Sequence, residues 1–191
     1  DRTKGANTLT ISGGHAIDAM CYCLGDFTEV SARIGTRVRQ WRATDADAVV
    51  DVTSPDNVLI SGVLDSGALT SVHVAAVPYN GSGWRLEVYG SEGTLFMTGG
   101  GSAHLGGATL TGARGKDKLV DLPVPDEYSI VPEGTPKGAP FNVAQAYTRI
   151  AEAFEAGKPA GPDFAHALRL HRLIASIEQS AAEGRSVTVG K

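Results

Sequence analysis

Hydrophobic positions change period twice along this chain. Ile17, Met20, Cys21 and Leu24 recur at the spacing of one helical face, which predicts a short helix over residues 13–24. Ser12 is placed to cap its start and Gly25 to end it. The pattern then shortens, and residues 28–38, 49–53, 58–64, 69–77, 84–89, 93–97, 108–111 and 118–122 read as strands. They are rich in Val, Leu, Thr and Ser and are punctuated by Gly and Asp. Asp65-Ser66-Gly67 and Gly90-Ser91-Glu92-Gly93 read as hairpin turns. Trp84, Leu86 and Val88 alternate with Arg85, Glu87 and Tyr89, giving one apolar face, whereas the strands between 58 and 77 are apolar on both faces.

The stretch 123–140 holds five prolines and reads as an irregular connection. Helical spacing then returns. Val143, Tyr147, Ile150, Ala151 and Phe154 line one face of a helix stopped by Gly157-Lys158-Pro159. Ala167, Leu170, Ile174, Ile177 and Ala181 point inward from a second, capped by Asp163 and ended by Gly184, and residues 186–189 form a last strand. One helix, a run of strands, then helices predicts an α+β fold. Its expected form is a large, mixed, mostly antiparallel open sheet of six or more strands with helices on one face, not a doubly wound sheet.

The length of 191 residues suits one domain, so residues 1–191 are read as a single unit. A chain of this size buries roughly 70% of its unfolded surface, enough for a core without disulfides or metal. The net charge of −4 argues against nucleic acid or an anionic membrane as partner, since both attract a basic patch. No apolar run approaches the ~20 residues of a membrane span. Cys21 and Cys23, two apart on a helix, point to nearly opposite sides and make a poor bridge, which fits a reduced, cytoplasmic setting. No signal-peptide pattern opens the chain, and Asp1-Arg2-Thr3-Lys4-Gly5 reads as the middle of a longer protein.

The Gly-rich run 99–107 has no helix after it and reads as a surface loop, so the phosphate-cradling turn of a Rossmann unit is not expected here. Residues 6–18 carry more chemistry. At 100° per residue His15, Asp18 and Tyr22 share one helix face, opposite the apolar stripe. Gly13 and Gly14 allow close approach to the backbone before His15. The positive end of a helix dipole disfavours added positive charge, which suits a neutral imidazole acting as a general base. The competing reading is that His15 hydrogen-bonds the turn before it. His73 reads as a satisfied sheet residue, and His166 and His171, set among arginines, as solvated or interface residues. The five histidines and two cysteines show no metal-ligand spacing, so no metal site is expected.

Gly14-His15-Ala16-Ile17-Asp18, followed by Leu24-Gly25, resembles the G-x-H-x-x-D…L-G signature of the glucose–fructose oxidoreductase / inositol dehydrogenase (Gfo/Idh/MocA) family. Three further pieces agree in order. Residues 84–95 resemble the family's strand–turn–strand, 61–74 its sheet hairpin, and 167–187 its closing helix and strand. The resemblance implies the C-terminal, glyceraldehyde-3-phosphate dehydrogenase-like α+β domain of a two-domain protein. The Rossmann domain, with the nucleotide fingerprint and the catalytic lysine, would precede it. It also implies an NAD(P)-dependent oxidoreductase acting on a sugar, polyol or related secondary alcohol, with NAD or NADP bound mainly by the missing domain and this chain inactive alone.

By the same resemblance His15 is the candidate catalytic residue. Asn7, Thr10, Asp18, Tyr79 and Tyr128 are candidate substrate-binding residues, although a surface-loop role stays open for Tyr79 and Tyr128. The expected partners are the protein's own Rossmann domain and a second copy, in a homodimer or homotetramer joined through the open sheet face. The family's usual Asp four residues before the His is replaced by Ile11. The run Gly5-Ala6-Asn7-Thr8-Leu9-Thr10-Ile11 is similar to a subgroup that includes the fungal galactose-pathway repressor, which implies an alternative: a non-catalytic, dinucleotide-sensing regulatory protein.

Overall fold

The computed structural model describes residues 1–76, 80–101 and 105–190. In chain order its elements are α1 (Gly14–Leu24), β1 (Phe27–Gly35), β2 (Gln40–Ala43), β3 (Ala48–Asp51), β4 (Asn57–Leu64), β5 (Leu69–Ala75), β6 (Trp84–Tyr89), β7 (Gly93–Gly99), β8 (Thr109–Arg114), β9 (Val120–Asp121), α2 (Ala139–Glu155), α3 (Phe164–Glu183) and β10 (Val187–Thr188). They form two compact units, Asp1–Asn80 with Phe164–Lys191, and Gly81–Asp163.

In the first unit an antiparallel sheet runs in the order β10-β1-β4-β5. The two-residue period puts Val30, Ala32, Val58, Ile60 and Leu64 on one face, each no more than 3% exposed. Ile17 and Met20 of α1 and Leu173, Ile174 and Ile177 of α3 are buried with them, and α3 packs on β1. Burial of each such side chain stabilises by about 1.5–3 kcal/mol. The other face carries the register row Ser31–Ser61–Ser71 and stays largely open. β10 is only two residues long and pairs with Glu29 and Val30. Beyond its end, the Ala32 N–H donates instead to Ser180 Oγ (2.9 Å), and that hydroxyl donates to the Arg185 carbonyl (2.6 Å). One fully buried hydroxyl thereby satisfies a strand donor and the turn after α3.

In the second unit β6-β7-β8-β9 form an antiparallel sheet, with Tyr89 edge-on to Phe96. α2 departs from the simple amphipathic expectation. Its half-buried positions include Phe141, Asn142, Ala144, Gln145 and Thr148, while Val143, Tyr147, Ile150 and Phe154 are exposed. Gln145 explains part of this. Its side chain accepts from the Ile130 N–H (2.8 Å) and donates to the Tyr128 carbonyl (2.7 Å), holding a polar face against the proline-rich stretch.

The fold is the expected α+β arrangement. Every strand pairing among the described residues is antiparallel, but where one sheet of six or more strands was expected the strands divide into ladders of four, two and four. The expected strand 28–38 stops at Gly35, because the Asp56 carboxylate takes the backbone N–H groups of Arg37 and Val38. β2 was not expected. It is short and mostly exposed, and exists as half of a hairpin in which Trp41 faces Val50. No helix among the described residues is long and apolar enough to cross a membrane.

Candidate functional site on the first helix

The helical run begins before α1. Leu9–Gly13 is a π-helical turn that leads directly into it. Asn7 Oδ1 accepts from the N–H groups of Leu9 (2.9 Å) and Thr10 (3.2 Å), and the Asn7 N–H donates to Thr10 Oγ1 (3.0 Å). Thr10 Oγ1 in turn donates to the Gly5 carbonyl (2.7 Å). Asn7 and Thr10 therefore organise the start of the helical run. The Gly13 N–H reaches the Thr8 carbonyl at 2.7 Å, and a Cβ on Gly13 would lie 2.9 Å from that same oxygen. Glycine is what the close turn admits.

This geometry corrects two expectations. Ser12 is exposed and does not cap α1, whose cap position is Gly13 with no side-chain hydrogen bond. The positive end of the helical dipole falls near Asn7–Thr10 and not at His15, because the π turn adds a turn before it.

His15 is exposed, and Asp18 lies one turn further along the same face. Asp18 Oδ1 is 2.6 Å from His166 Nε2 on α3. Arg169, which can only donate, faces His166 Nδ1 at 3.4 Å, so Nε2 carries the proton given to Asp18. Arg169 Nε also lies 3.9 Å from Asp26 Oδ2. His166 was expected to be a solvated or interface residue. It is instead a half-buried partner of Asp18, 148 residues away in sequence.

Beside this pair a cavity of about 470 Å³ opens between α1, α3 and the β4–β5 hairpin, with Asp18, Cys21, Asp26, Asp65, His166 and Arg169 in its wall; His15 is not part of it. The Cys21 thiol is pushed up to about 12, first by burial and then by the negative charges of Asp26, Asp18 and Asp65; a hydrogen bond with the Phe27 backbone opposes them.

Tyr22 is 84% exposed. Tyr128 belongs to the second unit, on a 3-10 turn over Asp126–Tyr128, and Tyr79 lies outside the described residues. His73 is a sheet residue as expected, 3.3 Å from Asn57 Oδ1 on the open face. No group of three metal-ligating side chains occurs among the described residues.

The fold and its histidine-bearing first helix define the class: an α+β domain of the kind found as the C-terminal domain of Gfo/Idh/MocA-like oxidoreductases. The particular family follows from residues 1–99, which match the family model of the Gal80p C-terminal domain, and the chain belongs to that family. A dehydrogenase, aclE, of Aspergillus oryzae is 30% identical over 108 residues, which is 52% of this chain and 29% of that protein. Among solved structures, the transcriptional regulator Gal80p from Kluyveromyces lactis superposes with a TM-score of 0.77 at 22% identity, covering 100% of this chain and 48% of that one. Levoglucosan dehydrogenase in complex with NADH and L-sorbose superposes with a TM-score of 0.77 at 20% identity, covering 98% of this chain and 51% of that one. The chain thus spans under a third of the curated relative and about half of each solved structure, and the two structural likenesses show the fold.

Proposed function

We propose that this chain is the substrate-binding and oligomer-forming part of a larger NAD(P)-dependent oxidoreductase acting on a sugar, polyol or related secondary alcohol. The observation that carries the reading is the exposure of His15 on a helix whose preceding turn is fixed by Asn7, Thr10 and Gly13. The neighbour solved with NADH and L-sorbose supports the chemistry. In this reading the His15 imidazole accepts a hydrogen bond from the substrate hydroxyl and is placed to take its proton. Asp18, paired with His166, ties α1 to α3 beside it.

The described residues of this chain do not fit a dinucleotide. They contain no parallel β-α-β unit whose helix start could hold a pyrophosphate, so in this reading NAD or NADP is held by another part of the protein. The chain alone is accordingly expected to be inactive and to bind NAD(P) weakly.

In the full-length protein, assayed for cofactor reduction over a panel of sugars and polyols, His15→Ala is expected to lower kcat by at least about a hundredfold while cofactor binding persists. Turnover unchanged by His15→Ala would remove His15 from the chemistry. The regulatory reading is favoured by the match to Gal80p and by Ile11, which leaves no carboxylate four residues before His15. No turnover with any sugar, together with tight cofactor binding, would decide for it.

Oligomer formation in this proposal uses the open sheet face. On β4 and β5 that face presents Leu59, Ser61, Leu69, Ser71, His73 and Ala75, with no carboxylate, lysine or arginine. A second copy packed about a two-fold axis would cover it. Ser71→Glu ends the serine row with a carboxylate whose unpaired burial costs several kcal/mol, and is expected to convert a homodimer or homotetramer to monomers in light scattering. An unaltered chain that is monomeric at high micromolar concentration would rule this interface out.

A further inference from the structure

We propose that the cavity between α1, α3 and the β4–β5 hairpin is a binding site for a small organic cation, an amine carried on an apolar body. It shares Asp18 with the helix face that presents His15 but does not include His15 itself, and it stands whether or not the oxidoreductase reading does. Its volume of about 470 Å³ lies within the range of small-molecule pockets. Its apolar surface includes Phe27, Leu170 and Leu173, of which Phe27 and Leu173 belong to the core.

The polar part of the wall is unbalanced. Asp18, Asp26 and Asp65 contribute three carboxylates, whereas Arg169 is the one permanent cation among the described wall residues. Asp18 is held by His166 and Asp26 pairs with Arg169 at 3.9 Å, so three carboxylates against one permanent cation leave the wall with a net negative charge. The Cys21 thiol in the same wall is raised first by burial and then by these carboxylates, in keeping with that charge. An ammonium group at the carboxylates, with its carbon body on the apolar floor, meets both halves of this wall. A neutral molecule of the same shape would gain only the floor, and an anion would be repelled.

The test is a calorimetric and amide-NMR titration of the 191-residue chain with three probes of nearly one shape: benzylamine, benzyl alcohol and benzoate. Benzylamine is expected to bind saturably, with a Kd on the order of a millimolar or below, at least about tenfold tighter than benzyl alcohol. Benzoate is expected not to bind, and the benzylamine shifts should centre on α1 and α3. The Asp26→Asn/Asp65→Asn double variant should weaken benzylamine at least about tenfold and leave benzyl alcohol unchanged. Leu170→Trp, which fills the floor, should block both. Should that variant fail to fold by circular dichroism, the double variant, altering side chains at the mouth, still decides. Equal binding of benzylamine and benzyl alcohol, no saturation by benzylamine at 10-fold above a millimolar, shifts centred elsewhere, or a double variant that binds like the parent would each overturn the proposal.

Discussion

Gly62→Ala is expected to destabilise the chain by about 3 kcal/mol or more, and Gly62→Val to prevent folding at room temperature. Gly62 has the inward parity of Val58, Ile60 and Leu64 on β4 and faces Val30 on β1. A bulge between Phe27 and Glu29 brings the β1 backbone and the Phe27 ring over the place where its side chain would sit. A Cβ there would lie 2.3 Å from the Glu29 carbonyl oxygen and 2.7 Å from Phe27 Cδ1. Moving Phe27 outward exposes a ring that is now 4% exposed, at a loss of about 1.5–3 kcal/mol. Moving the backbone disturbs Glu29, which pairs with Val63 on one side and Thr188 on the other, so β10 shifts too. Gly100→Ala is the control: a Cβ meets nothing within 4 Å, and the change should stay within about 0.5 kcal/mol. Urea unfolding followed by circular dichroism reads both; a Gly62→Ala midpoint equal to the parent's would show that the bulge can open without loss.

What was legible in the sequence was what neighbouring residues decide among themselves. The two-residue alternation of Val58, Ile60 and Leu64 reflects the sheet face they occupy. The Asp65-Ser66-Gly67 turn closes through the Gly67 N–H to the Leu64 carbonyl, within a four-residue reach. Gln40–Ala43 escaped because its strand character comes from pairing with Ala48–Asp51 and not from its own composition. The helical stripe of Val143, Tyr147, Ile150 and Phe154 was visible, but a stripe does not say which way it faces, and the Gln145 hydrogen bonds oppose its burial.

The candidate site divides along the same line. Asn7, Thr10, Gly13 and His15 lie within nine residues and could be read as one cluster of polar and small positions. Their roles could not, since a π turn and a capping hydrogen bond present the same residue types. The sequence places Asp18 beside His15 on the helix face but carries no local mark of its partner. His166 lies beyond the run of strands from β1 to β9, and nothing in its own segment marks it except its place four and seven residues before Leu170 and Leu173. Only the packing of α3 beside α1 brings it to Asp18.

Asp56→Ala is expected to cost about 4 kcal/mol at neutral pH and to flatten the acid limb of the stability curve. Asp56 is 2% exposed, where a carboxylate survives only if fully hydrogen-bonded. Its oxygens accept from the Arg37 N–H (2.9 and 2.8 Å), the Val38 N–H (2.7 Å) and Asn57 Nδ2 (3.0 Å), while its own backbone joins Gly35 and Ala76. Burial opposes the charge, but the hydrogen bonds from Asn57, Val38 and Arg37 outweigh it and hold the carboxyl below its ordinary value of 3.8. A carboxyl depressed by folding stabilises at pH above its unfolded value, and that stabilisation is lost as pH falls through the lower, folded value. The parent should therefore lose stability below about pH 4 with a contribution of up to one proton from this site, and Asp56→Ala should lack that contribution. Alanine also leaves the Arg37 and Val38 N–H groups without the acceptor that ends β1, at about 1–3 kcal/mol for each that water cannot reach. Urea midpoints at pH 7, 4 and 3 separate the two effects. If parent and variant lose stability in parallel from pH 4 to 3, the Asp56 carboxyl is not depressed by folding; if they differ little at pH 7, its hydrogen bonds do not hold the end of β1 in place.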